Sequence, residues 1–277
     1  MNRILAASFA FTILNTSTAA NTEAIDGRPV PEIAGVAHRG LVKGFPENTL
    51  IAFQQALKLG VDFVEVDLRM TRDGIPVILH DDSVDRTTDG RGEVKTFTLS
   101  ELKKLDAGSI AGPQFAGEQI PAFEEALDLV IPLGGKLLLD IKSGRNLDCQ
   151  EVVRLLEQHN AVKNVVVGAR SLEDIKLFRS LNAGIRILGF IPGDRHIKKF
   201  AAAGADIIRL WPGWIQADPV LIDRVHQFKK PVWVTAGRAG REELAELIRL
   251  GANGILTDQP EVLMDLLADM HSGRFNR

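Results

Sequence analysis

Tyrosine is absent from this 277-residue chain, and cysteine occurs once. The missing tyrosine carries no functional message. The lone Cys149 excludes an intrachain disulfide and reads as a buried or half-buried thiol. No block of Lys and Arg stands out against a net charge of −3, so nucleic acid and anionic membrane are poor partners by charge. No Pro/Gly/Ser linker or low-complexity tract divides the chain, which is therefore read as one domain over residues 30–270. A Gly-rich phosphate fingerprint after the first apolar strand is also missing, which argues against a doubly wound sheet.

The first residues, 1–20, read as a secretory signal peptide. Arg3 supplies a positive start, Ile4 to Leu14 is an apolar run too short to span a bilayer, and small residues follow from Ser17 to Ala20. No cysteine follows the apolar run, which excludes lipidation there. The expectation is a secreted, periplasmic protein with no stable membrane insertion after cleavage. Removing this segment takes away one Arg and no acid, so the mature chain is one unit more negative.

What is present is a repeated alternation of short apolar runs and amphipathic stretches. Candidate strands are Ile33–Ala37, Phe63–Leu68, Pro76–Leu79, Leu137–Ile141, Val165–Val167, Arg186–Phe190, Asp206–Leu210, Pro231–Thr235 and Gly254–Leu256. Between them lie patterns such as Leu50-Phe53-Leu57 and Leu244-Leu247-Leu250, apolar at helical spacing. Near-continuously apolar strands alternating with helices predict a parallel sheet covered by helices. A phrase recurs at Leu59-Gly60-Val61-Asp62, Ala203-Gly204-Ala205-Asp206 and Leu250-Gly251-Ala252-Asn253, where a helix ends on a glycine cap and a strand begins. Eight or nine strands in about 240 residues fit an α/β fold of the (β/α)₈ TIM-barrel class. The stretch from Asp81 to Ile120, after the third strand, is too long for a connection and predicts an excursion over the barrel mouth.

In such a barrel, chemistry belongs at the C-terminal strand ends. The first strand ends in His38-Arg39-Gly40. In Phe63-Val64-Glu65-Val66-Asp67-Leu68, the period of two puts Phe63, Glu65 and Asp67 on one face and turns the other three toward the helices. By the same rule Asp140 and Lys142 share the inner face of their strand. Carboxylates packed together inside a barrel repel one another, and burying them unpaired is costly. A hard divalent cation, Ca²⁺ or Mg²⁺, relieves that repulsion, with Glu65, Asp67 and Asp140 as its ligands. The competing reading is an internal salt-bridge network in which Arg39 and Lys142 pair with those acids. Three carboxylates, one divalent cation, Arg39 and Lys142 together leave one positive charge, which matches a phosphodiester anion.

Of the six histidines, only His38 and His80 end an apolar strand; His159, His196, His226 and His271 fall in helical or terminal contexts. Two imidazoles facing one phosphate can divide the labour, one accepting a proton from the attacking oxygen and the other protonating the leaving alkoxide.

These residues also carry a family resemblance. His38-Arg39-Gly40, Pro46-Glu47-Asn48-Thr49 with Ala52-Phe53, Glu65-Val66-Asp67-Leu68, Thr71 through Asp81, and Asp85-Arg86-Thr87-Thr88-Asp89-Gly90 resemble the glycerophosphodiester phosphodiesterases, as does the run from Gly251 to Glu261. The resemblance spans nearly the whole mature chain and is faintest between residues 145 and 230. It implies a (β/α)₈ barrel, one divalent cation and hydrolysis of a small glycerophosphodiester to sn-glycerol 3-phosphate and an alcohol. It further implies that His38 and His80 form the acid–base pair, Arg39 and Lys142 bind the phosphate, and Glu65, Asp67 and Asp140 bind the metal. Glu47 and Trp233 are given supporting roles, with helix N-terminal charge as the alternative for Glu47. The chain departs from the family in three places. Asp140 stands where Glu is commoner, Ala169-Arg170 replaces a Ser-Phe pair, and Trp233-Val234-Thr235-Ala236 replaces a Trp-Thr-Val-Asn motif. The last two positions line the leaving-group side in the family. Trp211 and Trp214 are expected either to pack on the glycerol moiety or to close the barrel mouth.

Three rivals remain at this stage. One is a lysophospholipase D-like or sphingomyelinase D-like enzyme on the same barrel, and another is a barrel that binds without catalysis. The third is a metal-free lyase in which Glu65 and Asp67 act as hydrogen-bonding groups. Sequence leaves the preferred alcohol, the physiological cation, the attacking oxygen and the oligomeric state open.

Overall fold

The computed structural model describes residues 32–142 and 149–274. The segment 1–20, expected to be a signal peptide, lies outside the described residues. Among the described residues no helix is long and apolar enough to cross a membrane.

Nine strands form: β1 (Ala34–Ala37), β2 (Phe63–Met70), β3 (Pro76–Ile78), β4 (Lys136–Ile141), β5 (Val165–Ala169), β6 (Arg186–Phe190), β7 (Ile207–Leu210), β8 (Val232–Gly237) and β9 (Gly254–Thr257). Eight of them run parallel in the circuit β1-β2-β4-β5-β6-β7-β8-β9, and β9 pairs back to β1 through Val36↔Leu256 and Ala37↔Thr257. This closed parallel barrel with its outer helices is the expected TIM-barrel architecture. The third candidate strand is not part of the wall. β3 runs antiparallel to β2, with Arg69 opposite Val77 and Met70 opposite Pro76. The turn at Thr71-Arg72-Asp73-Gly74 is too short for the helical crossover that a parallel pair requires, so the chain can only fold back as a hairpin.

After β3 the excursion makes a mini-core of its own from Val77, Leu79, Val84, Val94, Leu102, Ala107 and Ile120. A bridge between Val77 and Ala122 returns the chain to the barrel. The excursion is therefore anchored by its own apolar cluster rather than by the main core.

Alternation along each strand sorts side chains into two cores. One inward layer is built from Val36, Phe63, Leu138, Val166, Leu188, Ile207, Trp233 and Leu256, one from each barrel strand. The outward set, including Val64, Val66, Leu137, Leu139 and Ile208, packs against the helices. Two positions farther along, the inward face of the same strands and their ends carries His38, Glu65, Asp140, Gly168, Phe190, Arg209 and Asp258. The apolar layer is thus the floor on which a polar ring stands. The repeated helix-to-strand phrase does take the left-handed cap, with φ of +85° at Gly60, +103° at Gly204 and +102° at Gly251.

Candidate functional site

The turn after β1 is shaped by steric demand. Arg39 and Gly40 both take left-handed φ, +59° and +85°. A Cβ on Gly40 would meet the backbone carbon of Ala52 at 2.8 Å, so only glycine lets this turn lie against the helix Leu50–Lys58. Thr49 caps that helix, its hydroxyl accepting from the Ala52 N–H. Held this way, Arg39 turns its backbone N–H onto Glu65 Oε2 at 3.0 Å and its guanidinium onto Glu47 Oε1 at 3.0 Å. Strained non-glycine backbone of this kind concentrates at sites where chemistry needs the geometry.

β2 delivers Glu65 and Asp67 inward and β4 delivers Asp140, directly opposite Asp67 in the ladder. The three residues are buried, and each offers a carboxylate oxygen within 4.8 Å of the others. Asp67, with 0 % of its side chain exposed, accepts from Asn48 Nδ2 at 2.8 Å, lies 3.2 Å from Arg39 Nε and 2.6 Å from Lys142 Nζ. The last two are ion contacts, Arg39 on Oδ2 and Lys142 on Oδ1. Lys142 also donates to Asp140 Oδ2 at 2.8 Å, and Arg170 Nη2 donates to both Asp140 oxygens at 2.6 and 2.7 Å. Burial raises the Asp140 carboxyl, but the charges of Lys142 and Arg170 outweigh burial and hold it below its ordinary value. Burial likewise pulls Lys142 down, while Asp140 and Asp67 more than compensate and raise it.

The internal salt bridges anticipated for Arg39 and Lys142 are therefore present. They do not reach Glu65. This carboxylate is 2 % exposed, lies 4.0 Å from His38 Nε2 and, among the described residues, accepts only the Arg39 backbone N–H. Burial, then the nearby charges of Asp67 and Asp140, push its carboxyl well above the ordinary range. A buried carboxylate facing two others, with no Lys or Arg side chain in contact among the described residues and with Asp67 Oδ1 held only by the Lys142 ammonium, is a donor set that suits a hard divalent cation.

His38 and His80 stand at the ends of β1 and β3, each backed by an acid. His38 Nδ1 lies 2.5 Å from Asp258 Oδ1, just past β9, and His80 Nδ1 lies 2.6 Å from Asp81 Oδ1. A carboxylate can only accept, so in each pair Nδ1 carries the hydrogen and Nε2 is left for other work. The hydrogen bond from His38 lowers the Asp258 carboxyl despite its burial, and that from Arg86, ahead of His80, lowers Asp81. Arg69 Nε donates to the His80 carbonyl at 3.0 Å, fixing the backbone on which that imidazole is mounted.

Glu47 links the two histidine arms. Its oxygens accept from Arg39 at 3.0 Å and from Arg86 at 2.8 Å, and Arg86 Nε continues to Asp81 Oδ2 at 2.6 Å. Burial raises the Glu47 carboxyl, but Arg86 and Arg39 outweigh it and lower it overall. Its partners are arginines, and the helix that follows is capped by Thr49. A cleft of ≈ 530 Å³ opens beside this arm, lined among others by His38, Phe45, Glu47, Ile110, Arg238 and Asp258.

Trp233 is placed elsewhere than the mouth. It is 4 % exposed in the floor layer and sits edge-on to Phe63, with ring centroids 5.0 Å apart. It lies on the inner face one layer below the carboxylates, so packing is the role its position gives it. Trp211 is exposed at the mouth and stacks on the Arg209 guanidinium, 3.9 Å from the ring centroid, whereas Trp214 packs on the outer core. Cys149 is half-buried against the outer core, at the start of the helix Cys149–Gln158.

Known proteins resemble this chain in sequence and in fold. The model of the glycerophosphoryl diester phosphodiesterase family matches residues 38–185. A glycerophosphodiester phosphodiesterase of Caldanaerobacter subterraneus subsp. tengcongensis is 35% identical over 241 residues, covering 84% of this chain and 96% of that protein. Among solved structures, a glycerophosphodiester phosphodiesterase from Agrobacterium tumefaciens aligns with a TM-score of 0.74 at 26% identity, covering 85% of this chain and 99% of its own. A phosphodiesterase from Oleispira antarctica, in complex with the product sn-glycerol-3-phosphate, aligns with a TM-score of 0.75 at 25% identity, covering 86% and 97%.

Proposed function

The chain belongs to the glycerophosphoryl diester phosphodiesterase family and is a glycerophosphodiester phosphodiesterase, and we propose that it works by His38/His80 acid–base catalysis over a divalent cation held by Glu65, Asp67 and Asp140. Its products on this reading are sn-glycerol 3-phosphate and an alcohol. The observation that carries the reading is the pair of strand-end imidazoles, each with Nδ1 on a carboxylate, His38 lying 4.0 Å from Glu65 and His80 following Leu79, whose N–H donates to the Asp67 carbonyl.

Each residue then has a task. His38 and His80 present Nε2 to the phosphodiester, one to take the proton of the attacking oxygen and one to give a proton to the leaving alkoxide. Asp258 and Asp81 fix the tautomer and stabilise the imidazolium. Arg39 and Lys142 supply positive charge to the phosphate oxygens. When bound, a divalent cation would offset two of the three carboxylate charges and polarise the phosphoryl group. Lys142, shared by Asp67 and Asp140, would turn from them toward the substrate phosphate once a cation held those carboxylates. Glu47 and Arg86 keep the two histidine arms in a common register.

Ca²⁺ and Mg²⁺ both suit the donor set; Ca²⁺ better tolerates the shorter reach of Asp140. Export to the periplasm belongs to the same proposal, on the strength of Arg3 and the apolar run Ile4 to Leu14. The test is turnover of glycerophosphocholine with and without EDTA, read as glycerol 3-phosphate release, alongside lysophosphatidylcholine. Release from the first substrate that stops on chelation supports the proposal; preference for lysophosphatidylcholine, or insensitivity to EDTA, overturns it.

A further inference from the structure

One strongly basic group in the barrel mouth has no task in this scheme. Arg209 lies on the inner face of β7, one layer above Ile207, and β7 is four strands round the circuit from β2 in either direction. It therefore faces the Glu65/Asp67 strand from across the barrel. The residue is 6 % exposed and forms no ion pair among the described residues. Its Nε and Nη1 have no hydrogen-bond partner.

What surrounds Arg209 is aromatic and cationic. Its guanidinium lies 5.0 Å from the Phe190 ring centroid and 3.9 Å from that of Trp211. Arg170 lies 4.8 Å from the same Phe190 ring while holding Asp140. Phe190 keeps this position because Gly168 makes room; a Cβ there would come within 2.1 Å of its Cε2. Stacking orients the two guanidinium planes but leaves the in-plane N–H donors of Arg209 unsatisfied. Burial, and then repulsion from Arg170, push Arg209 down to about 10, and Asp140 only partly opposes them. A buried arginine short of both hydrogen bonds and a counter-charge is costly to hold, and an oxyanion would repay both deficits at once.

We propose that Arg209, aided by Arg170, forms a second anion subsite across the mouth from the phosphodiester, and that the preferred alcohol moiety carries an oxyanion of its own. The chemistry shared by suitable groups is a planar or tetrahedral oxyanion, either a carboxylate or a phosphate monoester. The inference rests on the phosphodiesterase reading above and adds to it the identity of the leaving group.

Two substrate pairs test it, each with the same glycerol and differing in one anionic group. Glycerophosphoserine against glycerophosphoethanolamine adds a carboxylate; glycerophosphoglycerol with and without a phosphate on its far glycerol adds a phosphate. Wild-type enzyme is expected to favour the anion-bearing member of at least one pair by about tenfold or more in kcat/KM, the worth of one charge-assisted hydrogen bond. In Arg209→Met that ratio is expected to fall to near one. If Arg209→Met does not fold, Arg209→Lys, which keeps the charge but loses the fork and the stack, is expected to lower the ratio part-way. A wild-type ratio near one in both pairs, as expected if Arg209 only packs or only contacts glycerol, overturns the subsite; so does a ratio that survives either substitution. Wild-type turnover of glycerophosphoethanolamine shows in the same assay whether the phosphodiesterase reading stands. If none of the esters is cleaved with Ca²⁺ or Mg²⁺ present, both proposals fall together.

Discussion

His38 Nδ1 and Asp258 Oδ1 meet at 2.5 Å although 220 positions separate them in the chain. The first barrel strand supplies the imidazole and the residue after the last strand supplies its carboxylate. Asp258 contacts no other imidazole, and its place behind His38 makes it a positioning residue. Asp258→Asn is expected to lower kcat by about 10²–10⁴ with little change in KM, because an amide can hold the ring by its wrong face and cannot stabilise the imidazolium. Steady-state kinetics over a pH series checks this. A variant with wild-type kcat and an unaltered profile removes Asp258 from the machinery.

The paired histidines are separable from the other four. His38→Ala and His80→Ala are each expected to lower kcat by about 10²–10⁴. His159 and His226 serve as controls: the first bonds the Leu155 carbonyl and the second Asn253, both in outer parts of the fold. Their alanine variants are expected to turn over substrate like wild type, with at most a lower melting temperature. A control that loses as much kcat as a strand-end variant refutes the assignment.

For the cation, the decisive residue is Asp140. Asp140→Asn is expected to weaken Ca²⁺ affinity by at least about tenfold, measured by calorimetry, whereas Lys142→Met raises KM or lowers kcat with affinity largely kept. Arg170 bonds both Asp140 oxygens and so competes for them. Arg170→Gln is therefore expected to tighten cation binding. Unchanged affinity in Asp140→Asn takes that residue out of the site.

Glu65 gives a pH signature without any turnover. Its carboxyl is raised by burial and by Asp67 and Asp140, so in chelated protein the folded state holds a proton that the unfolded chain releases. A folded value above the unfolded one means that stability falls as pH climbs from the ordinary 4.5 through the folded value. In EDTA, wild-type Tm is expected to drop over that window more than that of Glu65→Gln. Added Ca²⁺ at neutral pH should recover it in wild type alone. Parallel pH slopes for the two proteins argue against the buried-carboxylate account.

Trp233 supplies a test of packing against function. Trp233→Ala should cost about 3–5 kcal/mol of stability through the cavity left beside Phe63. At a temperature where the variant stays folded, its kcat should remain close to wild type. A large kcat loss in a well-folded variant would return Trp233 to the site.

Much of the site was legible because β2 and β4 break their own apolar pattern. Period-two alternation alone turned Glu65, Asp67 and Asp140 inward. The same signal existed at Arg209, an inward charge two residues after Ile207, but that strand was read only for its apolar content. Direction was not legible for β3, since a three-residue apolar run looks alike in either sense and only the short turn before it forbids a parallel return. Asp258 was visible within Thr257-Asp258-Gln259-Pro260 but not as the partner of His38, because nothing local encodes a contact made by barrel closure. Arg170 was noticed as a departure from its family; that it compensates Asp140 emerges only when β4 and β5 are adjacent. The floor position of Trp233 is not legible locally, because its layer is set by the register of β8 against its neighbours.

The ring of strands has no seam other than the one between β9 and β1, and the His38–Asp258 pair sits on that seam. During synthesis the imidazole emerges early and its carboxylate almost last. On the proposed mechanism, a nascent chain carries an unoriented His38 until the final strand docks, and full turnover waits for the completed circuit. This ordering makes the onset of turnover a clock for the last step of folding, readable in a refolding experiment without any spectroscopic label.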